Sequence, residues 1–185
     1  PYDEKTGRGL LRHIITRVAH STGDIMVMLV VTSEKIPHLD LLIQHILKAS
    51  SKVKSIVLNL NTRRDNVILG DKVRTVYGAD FLVDTLGPFQ FHISPLSFYQ
   101  VNPVQTVALY EKAVEYAALT GKETVYDLYC GIGTISLFLA RQAKQVIGVE
   151  VVDEAAQAAR KNAEINRSDN TEFHAGLAEE VVPRL

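Results

Sequence analysis

Asp127, Gly131, Gly133 and Glu150 are residues whose types and spacing can do chemistry. The first three sit in Val125-Tyr126-Asp127-Leu128-Tyr129-Cys130-Gly131-Ile132-Gly133-Thr134. There a buried strand runs into a Gly-x-Gly turn that opens a helix. Two glycines let the backbone bend sharply and let a ligand approach it closely. The helix start presents N–H groups with no intrahelical acceptor, which suits a polar ligand. Glu150 follows 17 residues after Gly133, at the end of the next strand. An acid in that place can accept hydrogen bonds from both hydroxyls of a ribose. Together these residues describe a nucleoside-binding crevice; two glycines by themselves describe no more than a βα turn.

The choice of nucleoside turns on two positions. A dinucleotide fingerprint has a third glycine where Ser136 stands here. Asp127 at the strand end and the short Gly-x-Gly favour S-adenosyl-L-methionine, whose sulfonium and ammonium groups welcome a nearby carboxylate.

The elements that must hold these residues can be read from periodicity. Strand patterns cover Leu10 to Ala19 and Ile25 to Thr32, joined by the turn Ser21-Thr22-Gly23-Asp24. Leu39, Leu42, Ile43, Ile46 and Leu47 recur at helical spacing. Short β-rich runs follow at Ser55 to Leu60, Lys72 to Tyr77, Phe81 to Leu86 and Phe89 to Ile93, a pattern dominated by hairpins. The rhythm then changes. Asn102 is a good N-cap, Pro103 suits the first helical position, and Thr120-Gly121 is the expected stop. Strands at Thr124 to Leu128, Gln145 to Val149 and Thr171 to His174 alternate with helices at Thr134 to Arg141 and Asp153 to Ile165. A further helix is expected at Leu177 to Val182. Such alternation means a parallel sheet with crossover helices.

Composition excludes several classes. With 46% hydrophobic and 22% charged residues in 185, the chain is an ordinary globular one. Its longest apolar run, Ile25 to Val31, is far shorter than a membrane span of roughly 20 residues. The single cysteine, Cys130, allows no internal disulfide and no multi-cysteine metal site. A reducing cytoplasm and no membrane partner are therefore expected. Residues 1–92 carry a net charge of +3 and residues 93–185 a net of −4, as expected of two pieces with different tasks. Lys5, Arg8, Arg12, Arg17 and the pair Arg63-Arg64 can contact phosphates, or can simply solvate a strand face. Phe98 and Tyr99 can stack on an unstacked base or pack in a core. The six histidines show no metal-ligand spacing.

Three blocks carry a family resemblance: Phe98-Tyr99-Gln100-Val101-Asn102, Asp127-Leu128-Tyr129-Cys130-Gly131-Ile132-Gly133-Thr134, and Gly148-Val149-Glu150. In that order they resemble the bacterial RNA (uracil-5-)-methyltransferases, which act on 23S ribosomal RNA or on the T-loop of tRNA. Tyr2-Asp3-Glu4-Lys5-Thr6-Gly7 and Gly9-Leu10-Leu11-Arg12-His13 are similar to the ribosomal lineage. The resemblance implies roles for particular residues. Gln100 would contact the cofactor and the target base. Tyr129 would line the adenosyl pocket, and Glu150 would hold the ribose. Thr134 stands where many relatives have asparagine, and Gly176 would contact the cofactor through its backbone.

The resemblance also implies what is missing. Members attack uracil C6 with a cysteine, methylate C5 and remove the C5 proton with a glutamate, and both residues lie downstream of the third strand. No catalytic residue is therefore assigned within 1–185. Cys130 follows a buried strand and reads as a small apolar residue. The expectation is an internal fragment of α/β class. A small α+β, RNA-facing domain (1–95) precedes the N-terminal half of a Rossmann-like, S-adenosyl-L-methionine-dependent methyltransferase sheet (96–185). The expected activity is methyl transfer to C5 of a uridine, in ribosomal RNA rather than tRNA. The expected partners are RNA and, through the open edge of Thr124–Leu128, a second copy of the chain. A non-enzymatic RNA-binding module and a nicotinamide-dependent oxidoreductase are the competing readings; Ser136 argues against the latter.

Overall fold

The computed structural model describes residues 1–185, and these divide into two units. The first comprises Pro1–Val83 and Ser94–Leu96; the second comprises Asp84–Ile93 and Ser97–Leu185.

The first unit is a four-stranded sheet in the order β1-β2-β3-β4, with β1 Leu11–Val18, β2 Ile25–Val31, β3 Val53–Leu60 and β4 Lys72–Gly78. β1 pairs antiparallel with β2 through the expected turn. β2 and β3, however, run parallel, joined by a crossover through α1 (Leu39–Ala49). A parallel pair needs such a connection, because no tight turn can bring the chain back in the same direction. The hairpin-dominated pattern expected for this half therefore contains a βαβ unit. Sequence period explains the packing. Alternate residues of β2 face opposite sides, so Val27, Leu29 and Val31 meet Leu42, Ile43 and Ile46 of α1, while Met26 and Met28 meet Val57, Leu69 and Leu82.

The hairpin of β5 (Leu82–Leu86) and β6 (Phe89–Ile93) starts at the end of the first unit. From Asp84 onward that hairpin belongs with the second unit, although its β rhythm continues that of the first. α2 (Pro103–Ala117) follows, capped by Asn102, whose side chain accepts from the Gln105 N–H at 3.1 Å. It ends at Ala118 in the left-handed conformation (φ 46°), ahead of Thr120-Gly121. The parallel sheet is β7 (Thr124–Leu128), β8 (Gln145–Glu150) and β9 (Thr171–Ala175), in that order. α3 (Thr134–Ala140) and α4 (Asp153–Ile165) make the crossovers, and α5 (Ala178–Val181) follows β9. Phe138 anchors the core, with Phe89 and Tyr110 edge-on to it at 5.1 and 5.3 Å between ring centroids. No helix is long and apolar enough to cross a membrane.

Candidate functional site

The crevice residues gather at the carboxyl ends of β7 and β8. In parallel sheets the loops after these ends, together with the following helix starts, form the ligand-binding edge. Tyr129 and Cys130 both donate their N–H to the Val149 carbonyl, at 2.7 and 3.0 Å, tying the glycine loop to β8. Tyr129 adopts φ 66°, a strained choice for a residue with a Cβ. The residue is 72% exposed at the loop surface.

The two loop glycines differ. A Cβ added at Gly131 (φ 55°) would meet nothing within 4 Å, so this backbone faces open space. A Cβ at Gly133 (φ 81°) would press on the Phe173 ring at 3.0 Å and on Ala159 at 3.3 Å. Gly133 thus packs closely beneath the turn, while the Gly131 backbone is uncovered. Gly148 is a packing glycine as well: a Cβ there would lie 2.4 Å from Phe173 and 2.9 Å from the Cys130 sulfur.

Glu150 reaches across to the loop. One carboxylate oxygen accepts from the Gly131 N–H and the other from the Val152 N–H, each at 2.9 Å. Each oxygen retains a lone pair for a further donor. The backbone N–H of Gly176 donates to the Glu150 carbonyl at 2.9 Å, placing Gly176 beside the same strand end. Asp127 accepts a short hydrogen bond from the Ser136 hydroxyl. Burial pushes the Asp127 carboxyl above the usual carboxylate range; the Ser136 bond opposes this and the Glu150 charge adds to it. The Thr134 hydroxyl pairs with that of Tyr110 at 3.0 Å. Gln100 is half-buried in the segment before α2, and no hydrogen bond joins its side chain to this group. Sequence reasoning missed Ser136 as a partner, because it was weighed only as an absent glycine; its place one turn inside α3, facing a strand-end acid, was the available signal.

Cys130 is 6% exposed. Burial, with the nearby charges of Asp127 and Glu150, pushes its thiol up to about 12. A thiol so placed stays protonated and is a poor nucleophile.

Of the basic residues of the first unit, Arg12 and Arg63 already have partners, whereas Lys5, Arg8 and Arg64 are exposed. The Arg12 side chain is 2% exposed, and its guanidinium donates to the carbonyls of Asn61 and Arg63 at 3.2 and 2.6 Å. Arg63 pairs with Asp65 at 2.8 Å, and the Arg64 guanidinium lies over Gly7. Phe98 is 75% exposed, whereas Tyr99 packs beside Phe91 with its hydroxyl buried.

Residues 72–184 match the model of the tRNA (uracil-5-)-methyltransferase family. The chain belongs to that family. Among curated relatives, an uncharacterized RNA methyltransferase of Listeria innocua is 54% identical over the whole chain, and one of Halalkalibacterium halodurans is 54% identical over 98% of it. The chain spans 40% of the length of each. A tRNA (uracil-54, C5)-methyltransferase of Pyrococcus abyssi, solved with S-adenosyl-L-homocysteine, is 30% identical and superposes with a TM-score of 0.76, over 92% of this chain and 40% of its own. The α/β architecture with a parallel sheet is that of S-adenosyl-L-methionine-dependent methyltransferases, and S-adenosyl-L-methionine is the cofactor of the tRNA (uracil-5-)-methyltransferase family. The residues present fit that cofactor. Open space at Gly131, spare acceptor capacity on Glu150 and a carboxyl at Asp127 that gains from a nearby cation are complementary to a ribose and a positively charged amino-acid end.

Proposed function

We propose that this chain supplies the cofactor crevice and part of the RNA-facing surface of an enzyme that methylates C5 of a uridine, in 23S ribosomal RNA rather than tRNA. The observation that carries the reading is the Glu150 carboxylate, bonded to the Gly131 N–H beside an open backbone. Glu150 would accept from the ribose hydroxyls, Gly131 would let the nucleoside approach, and Asp127 would balance the charge of the amino-acid end. Tyr129 would flank the adenosyl group, with Thr134 and Gly176 at its borders and Gln100 toward the target base. Bound there, S-adenosyl-L-methionine supplies an electrophilic methyl group. Exposed Phe98 is suited to stack on an unpaired base. Cys130, buried and protonated, takes no nucleophilic part.

The ribosomal preference rests on the segment Tyr2 to His13. The tRNA alternative is supported by the Pyrococcus abyssi relative, named as acting on uracil-54 of tRNA. Calorimetry with S-adenosylhomocysteine tests the crevice. Glu150→Ala is expected to weaken binding by about 1–3 kcal/mol, the value of charge-assisted hydrogen bonds, and equal affinities would remove Glu150 from the site. Tritiated methyl transfer by the longer protein containing this chain, onto unmodified 23S rRNA and tRNA in parallel, separates the two substrates.

A further inference from the structure

Asn162 lies inside α4 and is fully buried. A primary amide is costly to bury unless its donor and acceptor are both used. Here they are. Its Oδ1 accepts from the backbone N–H of His92 in β6 at 2.8 Å, and its Nδ2 donates to the backbone carbonyl of Ile132 at 3.0 Å. Ile132 stands between Gly131 and Gly133. The next N–H, that of Gly133, donates to the Cys130 carbonyl at 2.9 Å. The Ile132–Gly133 peptide plane is therefore held at both ends, and it leads directly into the first turn of α3. Glycine at 133 has few conformations excluded, so this hold, rather than residue type alone, keeps the turn in a single shape.

We propose that Asn162 is a positioning residue for the cofactor. One amide ties the glycine loop and the β5–β6 hairpin together, and affinity for S-adenosyl-L-methionine depends on that tie. This rests on the cofactor reading given above and names a residue that touches neither cofactor nor RNA. The amide is chemically required: aspartate keeps the acceptor for His92 but loses the donor for Ile132, and an alkyl side chain supplies neither. Asn166 provides an internal control. Its amide bonds the same hairpin, accepting from the Gln90 N–H at 2.9 Å and donating to the Gln90 carbonyl at 2.6 Å, and donates to the Asn162 carbonyl at 2.7 Å, without a bond to the glycine loop.

The test compares the wild-type protein with Asn162→Asp, Asn162→Ser and Asn166→Ala. S-adenosylhomocysteine affinity is measured by calorimetry, and amide hydrogen exchange over 131–136 is followed without cofactor. Both Asn162 variants are expected to bind at least about tenfold more weakly and to exchange faster in the loop, while Asn166→Ala stays within about twofold of wild type. For Asn162→Asp the deficit relative to wild type should shrink as pH falls, because a protonated aspartic acid regains a donor. Asn162→Ser carries the test if the aspartate variant does not fold. Wild-type affinity and exchange in an Asn162 variant, or equal weakening by Asn166→Ala, would overturn the proposal. A wild-type protein that does not bind S-adenosylhomocysteine would instead overturn the reading beneath it, an outcome visible before any variant is made.

Discussion

Both units hold irregular backbone with asparagine amides, but they do so on different elements. In the first unit, Asn59 on β3 accepts from the Gly70 N–H at 2.8 Å and donates to the Gly70 carbonyl at 2.7 Å. Two residues on, Asn61 donates to the carbonyls of Val67 and Ile68 at 2.7 and 2.9 Å. In the second unit, Asn162 and Asn166 are four apart on and just past α4, and Asn170 follows in the turn before β9, donating to the carbonyls of Ala140 and Ala143 at 2.8 and 3.1 Å. Strand period two puts neighbouring amides on one side, so Asn59 and Asn61 both clamp the one stretch that follows their own strand. Helical spacing, continued past the helix end, carries three amides along a longer path. They reach three separate pieces: the glycine loop, the hairpin and the end of α3. The same side chain is a local staple on a strand and a hub on a helix, and the hub is where the glycine loop lies.

The largest effect expected from breaking this contrast is at Asn59. Asn59→Ala leaves both the N–H and the carbonyl of buried Gly70 unpaired, and should cost about 2–4 kcal/mol in urea unfolding. S-adenosylhomocysteine affinity of the folded variant should stay as in wild type. A loss of cofactor affinity matching that of the Asn162 variants would erase the distinction between staple and hub.

Asp127 sharpens the contrast from the side of the site. Asp127→Asn is expected to weaken S-adenosylhomocysteine binding by about 1–3 kcal/mol, yet to raise the melting temperature at neutral pH. The sign follows from burial. Because the folded carboxyl titrates above its unfolded value, the folded state holds the proton more firmly. Wild-type stability therefore falls as pH rises from the unfolded value through the folded one, and the asparagine variant lacks that fall. Cofactor affinity of the wild type should decline as pH drops through the same window, since the protonated carboxyl no longer balances a cation. A pH-independent affinity would take Asp127 out of the crevice.

A smaller effect is expected at the sheet edges. β2, paired on both sides, is buried at six of its seven positions, whereas β7, paired only with β8, alternates between half-buried and exposed. Tyr126 and Leu128 are each 44% exposed. An open strand edge of this kind invites another chain, so light scattering should show self-association that Leu128→Lys reduces by about tenfold in association constant. A wild-type monomer at every concentration would mean that the edge is self-sufficient. The smallest effect belongs to Cys130. Cys130→Ala should cost about 1 kcal/mol or less, and the native thiol should resist alkylation at mildly basic pH until the protein unfolds. Rapid modification of the folded protein would reopen the question of a reactive thiol.

The sequence by itself determined the elements and the identity of the strand-end groups. β6, β7 and α4 fall where the periodicity put them, at Phe89–Ile93, Thr124–Leu128 and Asp153–Ile165, because apolar spacing, glycine turns and the Asn102 cap act within a few residues. Asp127, Gly131 and Glu150 were legible for the same reason: chain order alone delivers them to adjacent strand ends. Tertiary structure decided what chain order cannot. It paired β2 parallel to β3, assigned Asp84–Ile93 to the second unit, gave Ser136 to Asp127 and packed Gly133 against Phe173. It buried Arg12 against the carbonyls of Asn61 and Arg63, where the sequence offered a free cation. Asn162 is the clearest case. Its partners lie 70 and 30 residues away in the chain, and an amide inside a helix carries no mark of them. Hydrogen-bond partners are fixed by which backbone groups the packed core leaves unpaired, and that is known only once the core has formed.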